Sequence, residues 1–296
     1  MTDSRGEERQ YLRGVLVVLA ATVLWSLSGI FVRLTDEATA WQMTAWRAGS
    51  TATALFIFLC LRYRGDVWRR FRQLEPRALL ASAGFFAVGS TLYVLSLNLT
   101  TVANVACLAS TAPIFTVVLA RVFAGERTGP LAWTATVLAL VGVAVIFWND
   151  MDSGNTPGNL LSLVVAFCFS GQTVALRRFR SMDLVPAICI GAAVVFLGVG
   201  VVAGNLAATG HDILILVAMG IVQLAAPLVL FVRAARYVPA VQLSLIALLD
   251  VVFNPLWAWI GVGEAPGRSA FLGGGIIVGA VLISILLPRW LATRVR

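Results

Sequence analysis

Uncharged, hydrophobic stretches recur along almost the whole chain, separated by short clusters of charged residues. Seven stretches carry no charge and cover residues 14–32, 78–120, 128–149, 153–176, 184–210, 213–232 and 269–288. Two more contain one charge each, 38–61 with Arg47 and 237–263 with Asp250. One helical crossing of a bilayer needs about 20 apolar residues, so the stretch 78–120 holds two helices that turn at the polar residues 98–101. The pattern predicts ten transmembrane helices.

The composition agrees with a membrane protein and excludes a soluble one. Hydrophobic residues make up 59% of the chain and charged residues 12%, whereas soluble domains carry about 25% charged residues. The first stretch follows Arg5, Arg9 and Arg13 and could be mistaken for a signal peptide. It is longer than the usual apolar core of about 7–15 residues, and it lacks a convincing cleavage site, so a retained helix is expected.

The arginines predict the orientation of the chain. With the N-terminus in the cytoplasm, 19 of the 22 basic residues fall in the two tails and the four cytoplasmic loops. Only Arg33 and Arg268 fall outside, and Arg47 lies within a helix. The positive-inside rule therefore places both termini in the cytoplasm. The expected location is a multi-pass position in the inner (cytoplasmic) membrane of a bacterium.

The two halves of the chain resemble each other. Gly125-Glu126 closes the fourth predicted helix and Gly263-Glu264 closes the ninth, while Trp25-Ser26 aligns with Phe169-Ser170 and Arg33 with Arg177. Chance similarity between apolar helices is the alternative explanation. Since five helices per half is an odd number, the second copy must be inverted, as in many secondary transporters. The predicted organisation is a cytoplasmic tail 1–13, a first repeat 14–149, an outer linker 150–157, a second repeat 158–288 and a cytoplasmic tail 289–296.

These features together resemble the drug/metabolite transporter superfamily, in its ten-helix form built from two EamA domains. The resemblance covers nearly the whole chain and rests on Trp25-Ser26, on Pro113 followed by Gly125-Glu126, and on the second Gly-Glu pair. The family often has Glu-Pro where this chain has Asp250-Val251. The whole chain is most similar to bacterial amino-acid exporters, including the aromatic amino-acid exporters. The resemblance implies that helices 5 and 10 are peripheral and that helices 1, 3, 4, 6, 8 and 9 enclose a central cavity.

Three prolines fall well within predicted helices, at Pro113, Pro227 and Pro255. A proline inside a helix frees the carbonyl four residues earlier, here those of Ala109, Gln223 and Val251. In hydrocarbon, such groups are tolerated only inside protein or along a wet cavity. The prolines therefore indicate helix breaks at a substrate site, or else kinks that neighbouring helices satisfy.

Asp250 is the only acidic residue deep within a predicted helix. Spacings of four and seven residues place Asn254 and Trp257 on roughly the same face, and ionisable residues inside membranes usually serve function. Asp250 is expected to carry a proton, to bind a substrate ammonium, or to pair with Arg47 or a freed backbone group. Arg47 itself lies near the outer end of helix 2, where it can snorkel, and a structural role is expected for it.

Further polar and aromatic residues within the helices are candidates for substrate contact. An unpaired amide is costly in lipid, so these side chains should face the interior, although some will only bridge helices. The candidates are Trp25, Ser26, Tyr93, Ser96, Asn104, Gln172, Gln223 and Gln242. Gly275 and Gly279 are expected to allow close helix packing, either within the monomer or between subunits.

The sequence predicts a transporter without metal or cofactor. One histidine and four cysteines without a C-x-x-C pair give no metal site, and the residues of the usual intramembrane proteases are missing. A channel is the next alternative, disfavoured because the sequence lacks a pore-loop signature. The predicted function is a secondary transporter that exports neutral amino acids, aromatic ones included, or similar small metabolites by alternating access. Efflux of cationic drugs is the alternative. The expected partners are the small-molecule substrate and the bilayer, not nucleic acid, and the expected state is a monomer or weak homodimer.

Overall fold

Helices account for all the regular structure in the residues described by the computed structural model, which are 2–148, 156–262 and 267–294. Ten of its helical segments are long and apolar enough to cross a membrane. The ten predicted helices are thereby confirmed, and we number the segments spans 1 to 10 in chain order. The predicted pair Gly263-Glu264 and most of the linker 150–157 lie outside the described residues.

Six spans are built on one uninterrupted helix. In span 2 this helix is Ala40–Tyr63, which the 3-10 turn Arg64–Asp66 and the helix Val67–Arg72 follow. The other five are Pro76–Leu99 (span 3), Pro130–Phe147 (span 5), Thr156–Arg178 (span 6), Val185–Ala203 (span 7) and Arg268–Arg294 (span 10).

The other four spans are interrupted along their length. Span 1 contains Thr2–Trp25 and Ser28–Arg33, span 4 contains Val102–Ala109 and Ala112–Phe123, and span 9 contains Ala240–Ala247 and Asp250–Val262. Span 8 joins Gly210–Ala218 to Ala226–Ala234 through the π-helical segment Met219–Ala225.

Local sequence explains several helix ends. Span 3 ends at Leu99 and span 4 begins at Val102, so the break falls at the predicted turn. Span 4 begins there because the Thr101 side chain caps its first turn, accepting a hydrogen bond from the Asn104 backbone. Gly125 follows span 4 in a left-handed conformation with φ of 65°, which glycine adopts without steric cost.

Contacts between spans occur in pairs that a shift of five spans relates. Span 3 packs on span 6, and the equivalent span 8 packs on span 1. Likewise, span 4 packs on span 6 and span 9 on span 1. Span 2 packs on span 8, and span 7 packs on span 3. Three further pairs, 2–7, 4–9 and 5–10, each join a span to its own equivalent. This is the pattern of two related repeats. Since each repeat crosses five times, the second is inverted relative to the first.

Spans 5 and 10 form a closely packed pair. A Cβ atom on Gly142 would lie only 2.7 Å from the backbone oxygen of Gly273. Gly275 and Gly279 do not provide such packing within the chain, because a Cβ built on either meets no described atom of another helix within 4 Å. Packing of these glycines between subunits stays a prediction. The buried face of span 10 instead follows Gly273 and Ile277 at helical spacing.

Side chains near the span ends tie the repeats together at both ends of the molecule. At the arginine-rich end, which holds the loops 64–75, 124–129, 179–184 and 235–239, the hydroxyl of Tyr63 donates to Asp183 at 2.5 Å. At the opposite end, the Asp212 carboxylate accepts hydrogen bonds from the backbone of Asp36 and Glu37 at 2.9 and 3.2 Å. The interrupted parts of the spans lie between these two ends.

Candidate functional site

The interruption of span 1 is bonded to side chains from spans 8 and 9. The carbonyl of Trp25, the last residue of the first helix, accepts a hydrogen bond from Gln223 Nε2 at 3.2 Å. Trp257 Nε1 donates to Ser26 Oγ at 2.8 Å. Backbone at this depth of a membrane must be satisfied by protein or line a cavity. Spans 8 and 9 therefore support an opening in span 1.

A carboxylate and an amide lie beside this opening. Asp250 begins the second helix of span 9, and its carboxylate accepts a hydrogen bond from Asn254 Nδ2 at 2.5 Å. A Cβ atom on Gly29 would lie 3.2 Å from Asn254 Oδ1, so glycine lets the second half of span 1 approach span 9. Tyr93 lies on span 3, and the described hydrogen bonds do not join its side chain to this group. We call the following set the central polar cluster: Trp25, Ser26, Gln223, Asp250, Asn254 and Trp257.

Burial along span 9 changes at the central polar cluster. Residues 240–249 of span 9 are buried apart from the half-buried Gln242, whereas residues 250–257 all keep partial exposure. On the arginine-rich side, the Trp25 ring packs on Phe231 and Phe169 at centroid distances of 5.0 and 6.2 Å. Span 9 is thus buried on the arginine-rich side of Asp250 and partly exposed from Asp250 to Trp257.

One ion pair ties the two repeats together at the arginine-rich end. Glu126, after span 4, pairs with Arg177 Nε of span 6 at 2.5 Å, and its second oxygen accepts from the Ala240 backbone at 2.9 Å. Arg177 Nη1 also donates to the carbonyls of Ala235 and Arg236 at 3.1 and 3.0 Å. We call this arrangement the Glu126–Arg177 latch. It joins the loop after span 4 to the start of span 9.

Four further candidate residues lie apart from the central polar cluster or do not bond to it. Gln242 bridges helices, since Tyr11 donates to its Oε1 at 2.8 Å and its Nε2 donates to the Ser284 carbonyl at 2.6 Å. Asn104 Nδ2 donates to Thr100 Oγ1 at 3.0 Å, near the end of span 3. Ser96 bonds to the carbonyl of Tyr93 at 2.7 Å. Both amide atoms of Gln172 are buried without a hydrogen-bond partner among the described residues.

The three prolines have different relations to the interruptions. Pro113 lies in the first turn of the second helix of span 4, and Pro227 lies directly after the π-helical segment of span 8. Pro255 lies inside the helix Asp250–Val262, while span 9 is interrupted earlier, at residues 248–249. Span 6 supplies a hydrogen-bond donor to the backbone next to the interruption of span 4, since Ser170 Oγ donates to the Ala112 carbonyl at 2.7 Å.

Sequence reasoning missed the interruption of span 1. It carries no proline, and its only sequence signal is the run Ser26, Ser28 and Gly29, which are weak helix formers. Within the described part of the chain, no cluster of three or more histidine, cysteine or acidic residues is placed to hold a metal ion.

Comparison with known proteins identifies the family. The profile of the EamA-like transporter family matches residues 12–148 and 156–286, one match for each set of five spans. The chain therefore belongs to the EamA-like transporter family, within the drug/metabolite transporter superfamily. It is a multi-pass membrane transporter and not an enzyme.

Similar curated proteins extend over nearly the same length. An uncharacterized transporter of Pseudomonas aeruginosa is 27% identical, with 85% of this chain and 86% of that protein covered. A riboflavin transporter of Rhizobium johnstonii is 25% identical, covering 88% and 89%. Protein RarD of Streptomyces exfoliatus is 29% identical, covering 93% and 89%. A solved crystal structure matches the fold with a TM-score of 0.80 at 20% identity, covering 94% of this chain and 98% of the other.

Proposed function

We propose that this transporter exports neutral amino acids, aromatic ones included, from the cytoplasm by alternating access in the inner membrane. The observation that carries the proposal is the central polar cluster, where a carboxylate, amides and indole rings surround an interrupted helix. Inverted repeats allow one site between them to open to either side at similar energy. The arginine-rich end faces the cytoplasm in this proposal, in agreement with the positive-inside rule.

The central polar cluster offers partners for an amino acid's ammonium group. Asp250 supplies a negative charge, and Gln223 Oε1 is a buried acceptor without a hydrogen-bond partner among the described residues. The rings of Trp25 and Trp257 supply apolar walls for a side chain. A hydrogen bond to a charged group contributes about 1.5–3 kcal/mol. A few such bonds bind a zwitterion weakly, which suits a transporter that must also release it.

Opening of the Glu126–Arg177 latch is the step that admits substrate from the cytoplasm. The latch and the rings of Trp25, Phe169 and Phe231 separate the cluster from the arginine-rich end. Rocking of one repeat against the other breaks the latch and exposes the same residues to the cytoplasm. All the proposed binding residues belong to one chain, so a monomer is sufficient for transport.

Export of organic cations is the second candidate. A carboxylate next to an indole ring is a common receptor for such cations. Asp250 and Trp257 provide this pair, because they lie on roughly the same face of one helix. This candidate needs no anionic group on the substrate. The two candidates therefore differ in whether a substrate without a carboxylate is transported.

Efflux from vesicles containing the purified transporter tests the proposal. We expect saturable efflux of labelled L-phenylalanine that external unlabelled L-phenylalanine accelerates, and no comparable efflux of an organic cation. Asp250→Asn should raise the KM about tenfold or more, because a charged partner of the ammonium is lost, whereas the exposed control Asp66→Asn should not. If Asp250→Asn abolishes only the pH dependence and leaves downhill exchange intact, Asp250 is a proton carrier instead. Saturable efflux of the cation alone would contradict amino-acid export.

A further inference from the structure

A cavity of about 410 Å³ lies at the arginine-rich end, where the loop 124–129 follows span 4. It is lined by Arg121, Gly125, Glu126, Arg127 and Thr128. Arg121 belongs to the last turn of span 4 and Arg127 to the loop. One short segment of the chain therefore brings two arginines to the same cavity.

The acidic residue of this lining already has its partners. Glu126 Oε1 accepts from Arg177 Nε, and its Oε2 accepts from the Ala240 backbone, as part of the latch. The other ion pair among the described residues lies outside this lining. Neither Arg121 nor Arg127 therefore has a carboxylate partner in the described part of the chain, and the cavity keeps two positive charges that the protein does not neutralise.

The unused groups of the cavity match a phosphate. A guanidinium donates two parallel hydrogen bonds to a pair of phosphate oxygens, which makes arginine a preferred phosphate-binding residue. The hydroxyl of Thr128 adds a donor, because its oxygen has no hydrogen-bond partner among the described residues. Two guanidinium groups and a hydroxyl together offer more donors than a carboxylate can accept, whereas a phosphate has oxygens for all of them.

The surface of span 4 next to the cavity favours a lipid as the source of this phosphate. Val118, Val122 and Phe123 are 47%, 66% and 61% exposed. In a membrane such side chains contact acyl chains, and Arg121 lies in the same turn as Val122 and Phe123. Basic pockets at the cytoplasmic ends of membrane spans bind the headgroups of anionic lipids. A phospholipid fits both the apolar surface and the cavity, whereas a free phosphate fits the cavity alone.

We propose that this cavity binds the phosphate headgroup of an anionic phospholipid through Arg121 and Arg127. With the arginine-rich end in the cytoplasm, the lipid belongs to the cytoplasmic leaflet. The site lies apart from the central polar cluster, so it goes beyond the proposed function and does not depend on which substrate is exported. Because Glu126 belongs to both the lining and the latch, the lipid is bound beside the contact that closes the arginine-rich end.

Lipid binding to the purified transporter, measured by native mass spectrometry, tests the proposal. The probes are dioleoylphosphatidylglycerol, which is anionic, and dioleoylphosphatidylcholine, which has the same acyl chains and no net charge. The wild type should bind phosphatidylglycerol more tightly than phosphatidylcholine, by roughly tenfold or more. The double variant Arg121→Gln/Arg127→Gln should weaken phosphatidylglycerol binding by roughly 10- to 100-fold.

Two further double variants serve as controls. Arg121→Lys/Arg127→Lys keeps both charges and should keep most of the phosphatidylglycerol affinity. Arg69→Gln/Arg72→Gln removes the same charge from exposed arginines of the loop 64–75, outside the cavity, and should leave the affinity unchanged. Since all four arginines are exposed, every variant should fold, and unchanged binding of phosphatidylcholine checks this.

Three results would overturn the lipid site. The first is equal loss of phosphatidylglycerol affinity in the two Gln pairs, which is the behaviour of a diffusely charged surface. The second is a wild type without preference for phosphatidylglycerol. The third is binding of inorganic phosphate as tight as that of phosphatidylglycerol, with displacement of the lipid, which would make the cavity a site for a soluble anion. Absence of L-phenylalanine efflux, by contrast, would contradict only the proposed function.

Discussion

Two glutamines within the spans, Gln242 and Gln223, show how the same side chain serves packing in one place and the site in another. Gln242 has both amide groups engaged, with Tyr11 and Ser284, and so joins spans 1, 9 and 10. Gln223 donates to the Trp25 carbonyl, but its Oε1 is buried without a partner in the described part of the chain. An unused acceptor costs stability. The unused Gln223 acceptor beside an interrupted helix is explained if a substrate supplies the hydrogen-bond donor.

Replacement of each glutamine by leucine should separate these two roles. Gln242→Leu removes the hydrogen bonds to the Tyr11 hydroxyl and to the Ser284 carbonyl, so it should lower the free energy of unfolding by about 1–3 kcal/mol and leave the KM for L-phenylalanine unchanged. Gln223→Leu removes a substrate contact, so it should raise the KM about tenfold with a smaller loss of stability. Thermal unfolding and efflux kinetics on both variants check this, and equal effects on KM would refute the distinction.

At the scale of elements, uninterrupted spans provide rigid packing and interrupted spans provide the site. Spans 5 and 10 pack mainly on each other through Gly142 and Gly273 and contribute nothing to the central polar cluster. Spans 1, 8 and 9 are broken where they meet. A kink or break requires a local cause. Proline supplies one in spans 4 and 8, whereas span 1 depends on side-chain bonds from its neighbours.

Glycine substitutions should show where spans 5 and 10 make close contact. Gly142→Ala places a methyl group 2.7 Å from the Gly273 oxygen, and overpacking of this kind costs about 1–3 kcal/mol. Gly275→Ala is the matched control, since it meets open space in a helix and should be neutral or stabilising by up to about 1 kcal/mol. Thermal unfolding in detergent measures both. A Gly142→Ala protein as stable as Gly275→Ala would contradict the described packing.

At the scale of the molecule, the number of crossings and the two repeats could be predicted from the sequence, because hydrophobic length and residue order are properties along the chain. The residues of the site depend on which way each side chain points around its helix, and a single sequence predicts this direction less well than it predicts helix length. Gly275 and Gly279 were predicted to allow close packing, whereas within the chain it is Gly273 that makes the close contact with Gly142 of span 5. Helical spacing placed Asp250, Asn254 and Trp257 on one face. In the structure Asn254 donates to Asp250 within span 9, and Trp257 donates to Ser26 of span 1.

The central claim is that one site is exposed alternately to the two sides of the membrane, and labelling of a single cysteine tests it most directly. Ser28→Cys, in a variant without the native cysteines, places the thiol at the start of the second helix of span 1, beside the cluster. Its reaction with an impermeant maleimide is measured in right-side-out and inside-out vesicles, with the latch intact and with Glu126→Ala. The account predicts labelling mainly from outside when the latch is intact, faster labelling from the cytoplasmic side in Glu126→Ala, and protection by L-phenylalanine on both sides. Labelling from one side only, whatever the state of the latch, would contradict it.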